Sequence, residues 1–147
     1  MVRFVELFAE LVRVEIELWN DLDAHLVSTV GVTLPQFQAL AAIRATGGAV
    51  RVQDISEELS ITVGATSKVV DRLERDGLAI RSANPNDRRS SLIVLSDRGV
   101  NALVAANGAA ESHLRAVLGG VLGDEDAAEL LGQMTSLRSR SRSAVAR

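Results

Sequence analysis

Two groups of residues in this 147-residue chain have the types and spacing to do chemistry. The first is Thr62, Gly64, Thr66, Ser67, Lys68 and Arg72, small and hydroxyl-bearing at its start and cationic further on. On a helix opening at Thr62, the leading end is slim enough for the major groove of B-DNA and its N–H groups can meet a phosphate. Lys68 and Arg72, four residues apart, then reach base edges or backbone. The second group is Arg88 and Arg89 beside a turn, where a guanidinium can enter a minor groove whose narrow walls focus negative potential. Each group alone also fits a solvated helix face or an ordinary hairpin tip. Their succession, basic helix and then basic-tipped hairpin, favours nucleic acid.

Other chemistries have little material. With no Cys there are no thiol nucleophiles, disulfides or thiolate metal sites. His25 and His113 are read as polar surface or interface residues rather than metal ligands. Asp23 beside His25 lacks a nucleophile, a third orienting group and a Gly-rich phosphate loop, so no catalytic residue, metal or cofactor is assigned and the chain is read as a non-enzyme.

The elements that must position these groups follow from periodicity. Apolar residues at helical spacing run from Phe4 to Leu26 in two stripes, one with Phe4, Leu7, Phe8 and Leu11, the other with Val5, Val12, Ile16 and Trp19. A helix apolar on two sides has two partners, the second often another subunit. A second helix spans Pro35 to Ala45 with Phe37, Leu40, Ala41 and Ile43 inward, and a third runs from about Val52 to Leu59. The basic helix follows, with Thr62 as N-cap, Gly77 as its stop, and Ala65, Thr66, Val69 and Leu73 on its inner side. The period then shifts towards two, with Asn84-Pro85-Asn86-Asp87 supplying the turn and Leu92–Leu95 a short strand. Ser96 and Asp97 cap a long helix, and Asp124, Glu125 and Asp126 open a last one with Leu130, Leu131, Met134 and Leu137 as its stripe. The Ser/Arg tail from Ser136 is expected to fray.

Composition agrees with one ordinary folded unit, 47% hydrophobic and 24% charged. The net charge of −3 excludes binding to a polyanion by bulk charge, so any such binding is local. Residues 1 to 50 carry 3 Arg against 6 acids, whereas residues 60 to 95 carry six cations against four acids. No apolar run approaches the roughly 20 residues of a membrane span, and Glu6 and Glu10 interrupt the apolar N-terminus as no secretory signal does. A cytoplasmic protein without a membrane partner is expected.

The segment Asp87-Arg88-Arg89-Ser90-Ser91-Leu92-Ile93-Val94-Leu95-Ser96 resembles the D-x-R followed by L-[ST] of MarR-type regulators. Val70-Asp71-Arg72-Leu73-Glu74-Arg75-Asp76-Gly77-Leu78 is similar to the end of their recognition helix. The resemblance covers residues 35 to 100 in motif and nearly the whole chain in layout. It implies a mainly α fold with a small β-hairpin wing: a winged helix-turn-helix at 35–98 within a single unit of 1–147, flanked by dimerisation helices at 1–30 and 99–147. It further implies a homodimer that binds a palindromic operator in double-stranded DNA, a repressor released by a small ligand. Thr62, Thr66, Ser67, Lys68 and Arg72 would face the major groove, Arg89 the minor groove, and Asp87 would hold the wing arginines by an ion pair. Trp19, His25 and Arg98 could border a pocket for a small aromatic or carboxylate effector. The absence of Cys excludes the thiol-oxidation switch of the peroxide-sensing branch. A winged helix used for protein contact or small-molecule binding without DNA is the alternative.

Overall fold

The computed structural model describes residues 1–145. It falls into two compact units, Met1–Glu111 and one that begins at Ser112. The first holds α1 (Phe4–Val30), α2 (Leu34–Ala45), β1 (Val50–Arg51), α3 (Val52–Leu59), α4 (Val63–Arg75), β2 (Ala79–Ala83), β3 (Ser91–Leu95) and the start of α5 (Asp97–Leu118). The second holds the end of α5 and α6 (Asp124–Val145).

Local chemistry sets the boundaries. Gly31 ends α1 at φ 78°, a left-handed conformation that glycine adopts without strain. Thr33 and Gln36 form a reciprocal capping box at the start of α2, and Asp23 of α1 accepts a 2.7 Å hydrogen bond from the Leu34 amide. The long first helix is thereby hydrogen-bonded to the beginning of the second. Between α3 and α4, Ser60 takes φ 56°, and the Thr62 hydroxyl accepts the Ala65 amide at 3.1 Å.

The sheet has the order β1-β3-β2, all antiparallel, with Arg81 opposite Ile93. Its third strand, β1, is only two residues long and has no periodicity by which the sequence could announce it. Ile93, on the central strand, is fully buried, in the same core as Leu26, Leu40, Ile43, Ile55, Val70 and Leu73. Two inward assignments from periodicity are corrected: Ala41 and Ala65 are exposed, while Ala39, Ala42 and Val70 are buried. A methyl group carries too little hydrophobicity to mark which side of a helix it faces.

The tail also differs from expectation. The helix α6 continues through Ser136 to Val145, with hydroxyls of Ser136, Ser139 and Ser143 bonded to carbonyls four residues back. The last two residues of the expected 99–147 helical part lie outside the described residues. The apolar residues Leu130, Leu131, Met134 and Leu137 of this helix are exposed, as are Phe4, Val5, Phe8 and Val12 of α1.

The hairpin is fixed to the rest by a tight junction. The Ser96 hydroxyl donates to the Gly77 carbonyl at 2.6 Å, the Ser96 amide donates to the Leu78 carbonyl at 3.2 Å, and the Gly99 amide donates back to the Ser96 hydroxyl at 3.0 Å. A Cβ on Gly99 would overlap the Leu78 carbonyl oxygen. Gly99→Ala is therefore expected to lower stability by about 1–3 kcal/mol through overpacking against backbone. Urea unfolding measures it, and an unchanged midpoint and slope would contradict the junction.

Candidate nucleic-acid interface

The helix α4 buries Thr66, Val69, Val70 and Leu73 and turns Val63, Gly64, Lys68, Asp71, Arg72 and Arg75 outward. Thr62 is exposed at its N-terminus, where its hydroxyl serves as the cap, and Ser67 is half-buried at the edge of the outer face. Thr66 is a correction. The resemblance turns it to the major groove, whereas periodicity puts it on the inner side; it is fully buried, and its hydroxyl donates to the Thr62 carbonyl at 2.9 Å. A threonine that bonds its own helix four residues back can be as well buried as a valine, so its hydroxyl is a poor marker of an outer face.

No side chain has been lost to packing at Gly64, because a Cβ there would meet nothing within 4 Å. The leading end of α4 is simply slim, and beside it Ile61 and Val63 present apolar surface to solvent. Exposed branched side chains at a helix start suit thymine methyl groups, a feature that polarity-based reading passed over.

The wing loop is built on side-chain to backbone bonds. Buried Asn84 accepts the Asn86 amide at 3.0 Å and donates to the Ser90 hydroxyl at 2.9 Å. Asp87 accepts the Arg89 amide at 2.9 Å. That corrects the expected role of Asp87: it shapes the turn through the Arg89 backbone and makes no ion pair with Arg88 or Arg89 among the described residues. An Asx turn satisfies the carboxylate locally and leaves both guanidinium groups exposed. Lys68, Arg72, Arg88 and Arg89 are all exposed, and none forms an ion pair among the described residues.

Other charges around α4 are neutralised. Asp76, at its C-cap, accepts from Gln36 at 2.9 Å and from Arg75 at 3.0 Å, which links the end of α4 to the start of α2. Arg81 of β2 pairs with Asp71 and Glu74. Neither tie is legible in local spacing, since the partners are 40 and 10 residues apart.

The three residues assigned to an effector pocket are not brought together. Trp19 borders a shallow hollow with Glu15, Ile16 and Asn20, all on α1. Arg98 borders a different cleft, about 490 Å³, with Val30, Val32, Arg75 and Leu78. His25 lines neither and sits half-buried on α1. Among the described residues, no group of three or more His, Asp or Glu is placed to hold a metal ion.

A short helix, a turn and a basic helix followed by a hairpin make a winged helix-turn-helix, and the MarR-family model matches residues 30–90 of it. Over this segment the chain is similar to MarR-family regulators. It is 36% identical over 75 residues to the multiple antibiotic resistance protein MarR of Salmonella typhimurium, covering 51% of each chain. It thus spans about half the length of the curated relatives it matches. Two solved structures share the fold over most of the chain. One is a mutant MarR from E. coli complexed with operator DNA, with TM-score 0.73, 23% identity and 92% and 99% of the two chains covered. The other comes from work on the regulation of DNA binding of Bordetella bronchiseptica BpsR by 6-hydroxynicotinic acid, with TM-score 0.73, 22% identity and 88% and 98% covered. No single helix among the described residues is long and apolar enough to cross a membrane.

The ties around α4 have a pH consequence. Hydrogen bonds from Arg75 and Gln36 hold the Asp76 carboxyl below its ordinary 3.8, and a bond from Arg51 does the same for Asp54 at the start of α3. A depressed folded value means that this stabilisation is complete above the unfolded-chain value and is lost as pH falls through the folded one. Between pH 7 and about pH 3, the wild type is expected to lose more unfolding free energy than Asp54→Asn/Asp76→Asn. Equal losses in urea titrations at the two pH values would contradict the assignment.

Proposed function

We propose that the protein is a cytoplasmic transcriptional regulator, not an enzyme, that binds double-stranded DNA as a homodimer and acts as a repressor. The observation that carries this reading is the set of four exposed, unpaired cations, Lys68 and Arg72 on α4 with Arg88 and Arg89 on the wing, on an otherwise acidic chain. Confined positive charge on a helix and a hairpin fits a groove and its flanking phosphates, not a diffuse polyanion. The operator structure of a protein with the same fold supports the reading. Thr62, Gly64, Ser67, Lys68 and Arg72 would read or flank the major groove and Arg89 the minor groove, with Arg88 nearer phosphate.

The homodimer accounts for apolar surface that is otherwise unfavourable in water. Phe4, Phe8 and Val12 on α1 and Leu131, Met134 and Leu137 on α6 are exposed in the single chain. A second copy covering these helices would also present two equivalent recognition helices to a palindromic site.

For the effector, the cleft beside Arg98 suits a small aromatic carboxylate, its acid group held by the guanidinium and its ring against Val30, Val32 and Leu78. The regulation of BpsR by 6-hydroxynicotinic acid supports this class of ligand. Such a ligand weakens operator binding only if it binds the free protein more tightly than the DNA-bound one.

Four outcomes test the reading. Arg88→Ala/Arg89→Ala is expected to weaken operator binding by about 1–3 kcal/mol per half-site, and raising salt from about 50 to 200 mM to weaken the wild type roughly 10³-fold. Gel-shift binding unchanged by the double substitution would instead favour a winged helix used for protein contact. Sedimentation is expected to give a dimer at micromolar concentration, and a stable monomer would overturn the assembly. 6-Hydroxynicotinic acid or benzoate should raise the melting temperature of the free protein and release DNA, with both effects lost in Arg98→Met; stabilisation that survives in Arg98→Met would place the ligand elsewhere.

A further inference from the structure

The helix that carries Lys68 and Arg72 also carries two carboxylates in the middle of its outer face. Asp71 follows Lys68 by three residues and precedes Arg75 by four, and Glu74 stands one turn beyond Asp71. Side chains at those separations are neighbours on a helix, so Asp71 has the reach to pair with Lys68 and remove it from the cationic set. The two carboxylates together would also repel phosphates brought up to this face.

In the structure Asp71 does not pair with Lys68; Arg81 crosses from β2 to both acids instead. Its Nη2 donates to Asp71 Oδ1, and its Nε lies 3.3 Å from Glu74 Oε2. The side chain is 25% exposed, and the buried Nε, though within ion-pair distance of Glu74, has no hydrogen-bond partner among the described residues. A guanidinium so covered, with one nitrogen left imperfectly satisfied, is poorly placed to bind phosphate itself and costs desolvation that its pairing only partly offsets. Its position makes sense through what it does to its neighbours.

We propose that Arg81 is a positioning residue for DNA binding: by neutralising Asp71 and Glu74 it keeps Lys68 and Arg72 unpaired and removes the repulsion that the two carboxylates would exert on the duplex. The inference rests on the DNA-binding reading and deepens it. It explains how a recognition helix can hold two acids on its outer face and still present positive charge. It also couples the wing to that helix, since the masking group is on a wing strand and the masked groups are on α4.

Charge masking differs from the two simpler roles: a direct DNA contact leaves Arg81 necessary after the acids are gone, and a purely structural latch makes Asp71→Asn/Glu74→Gln bind as weakly as Arg81→Met, whereas masking lets that pair bind at least as tightly as the wild type. The test uses fluorescence anisotropy on a duplex enriched by the wild-type protein from a random-sequence pool, with thermal melts confirming that each variant is folded. Arg81→Met is expected to bind about tenfold more weakly, and Arg81→Lys, which keeps the charge, within about threefold of the wild type. The deciding comparison is between Asp71→Asn/Glu74→Gln and the same pair combined with Arg81→Met. Equal binding by these two, within about twofold and no weaker than the wild type, supports masking even if Arg81→Met alone fails to fold. A combined variant that stays about tenfold weaker than the pair overturns it, as does a folded pair about tenfold weaker than the wild type, or wild-type affinity in a folded Arg81→Met. A wild-type protein that enriches no duplex overturns the DNA-binding reading itself, an outcome distinct from unequal variants of a protein that binds.

Discussion

The wing can leave the end of α4 and return to it only because backbone meets backbone between Leu78 and Gly99. One residue after the stop at Gly77, the Leu78 carbonyl accepts the Ser96 amide, and the absent side chain of Gly99 lets the start of α5 close on that same carbonyl. The Ser96 hydroxyl completes the junction by donating to Gly77 and accepting from Gly99. Both ends of the β2–β3 hairpin are thus hydrogen-bonded at one point, and the helix α4, the hairpin and α5 diverge from it. The residues offered to a ligand by α4 and by the wing keep a fixed relation because this junction has little room to slide.

Electrostatics is organised around the same place. The chain is net acidic, and its carboxylates near α4 are held in specific ties: Asp76 by Gln36 and Arg75, Asp71 and Glu74 by Arg81. Lys68 and Arg72 on α4 and Arg88 and Arg89 at the wing tip are exposed and form no ion pair among the described residues. A few unpaired charges, placed rather than abundant, give local attraction without the indiscriminate binding of a polycation.

Much of this was legible in the residues. Helix stops at Gly31 and Gly77, the Thr62 cap and the turn at 84–87 rest on local rules, and the structure follows them. The family resemblance, carried by the wing segment and the end of the recognition helix, agrees with the fold found. What was not legible depends on partners distant in sequence. Nothing near Arg81 announces that it meets Asp71 and Glu74, and a two-residue β1 exists only because β3 lies beside it. Thr66 and Asp87 misled for a shared reason: short polar side chains satisfied by nearby backbone look, in a sequence, the same as ones offered to a ligand. The Ser-rich tail misled in the other direction, since hydroxyls that bond back to their own helix support it here to Val145.

On the proposed function, α4 and the wing form one surface for duplex DNA. Amide chemical-shift mapping during titration with an operator-containing duplex tests it most directly, because it reports every residue at once without altering any. The largest changes are expected in two separate stretches, residues 61–72 and 86–90, with the buried amides of the α2 core little changed. Perturbations centred elsewhere, or confined to one of the two stretches, would contradict it.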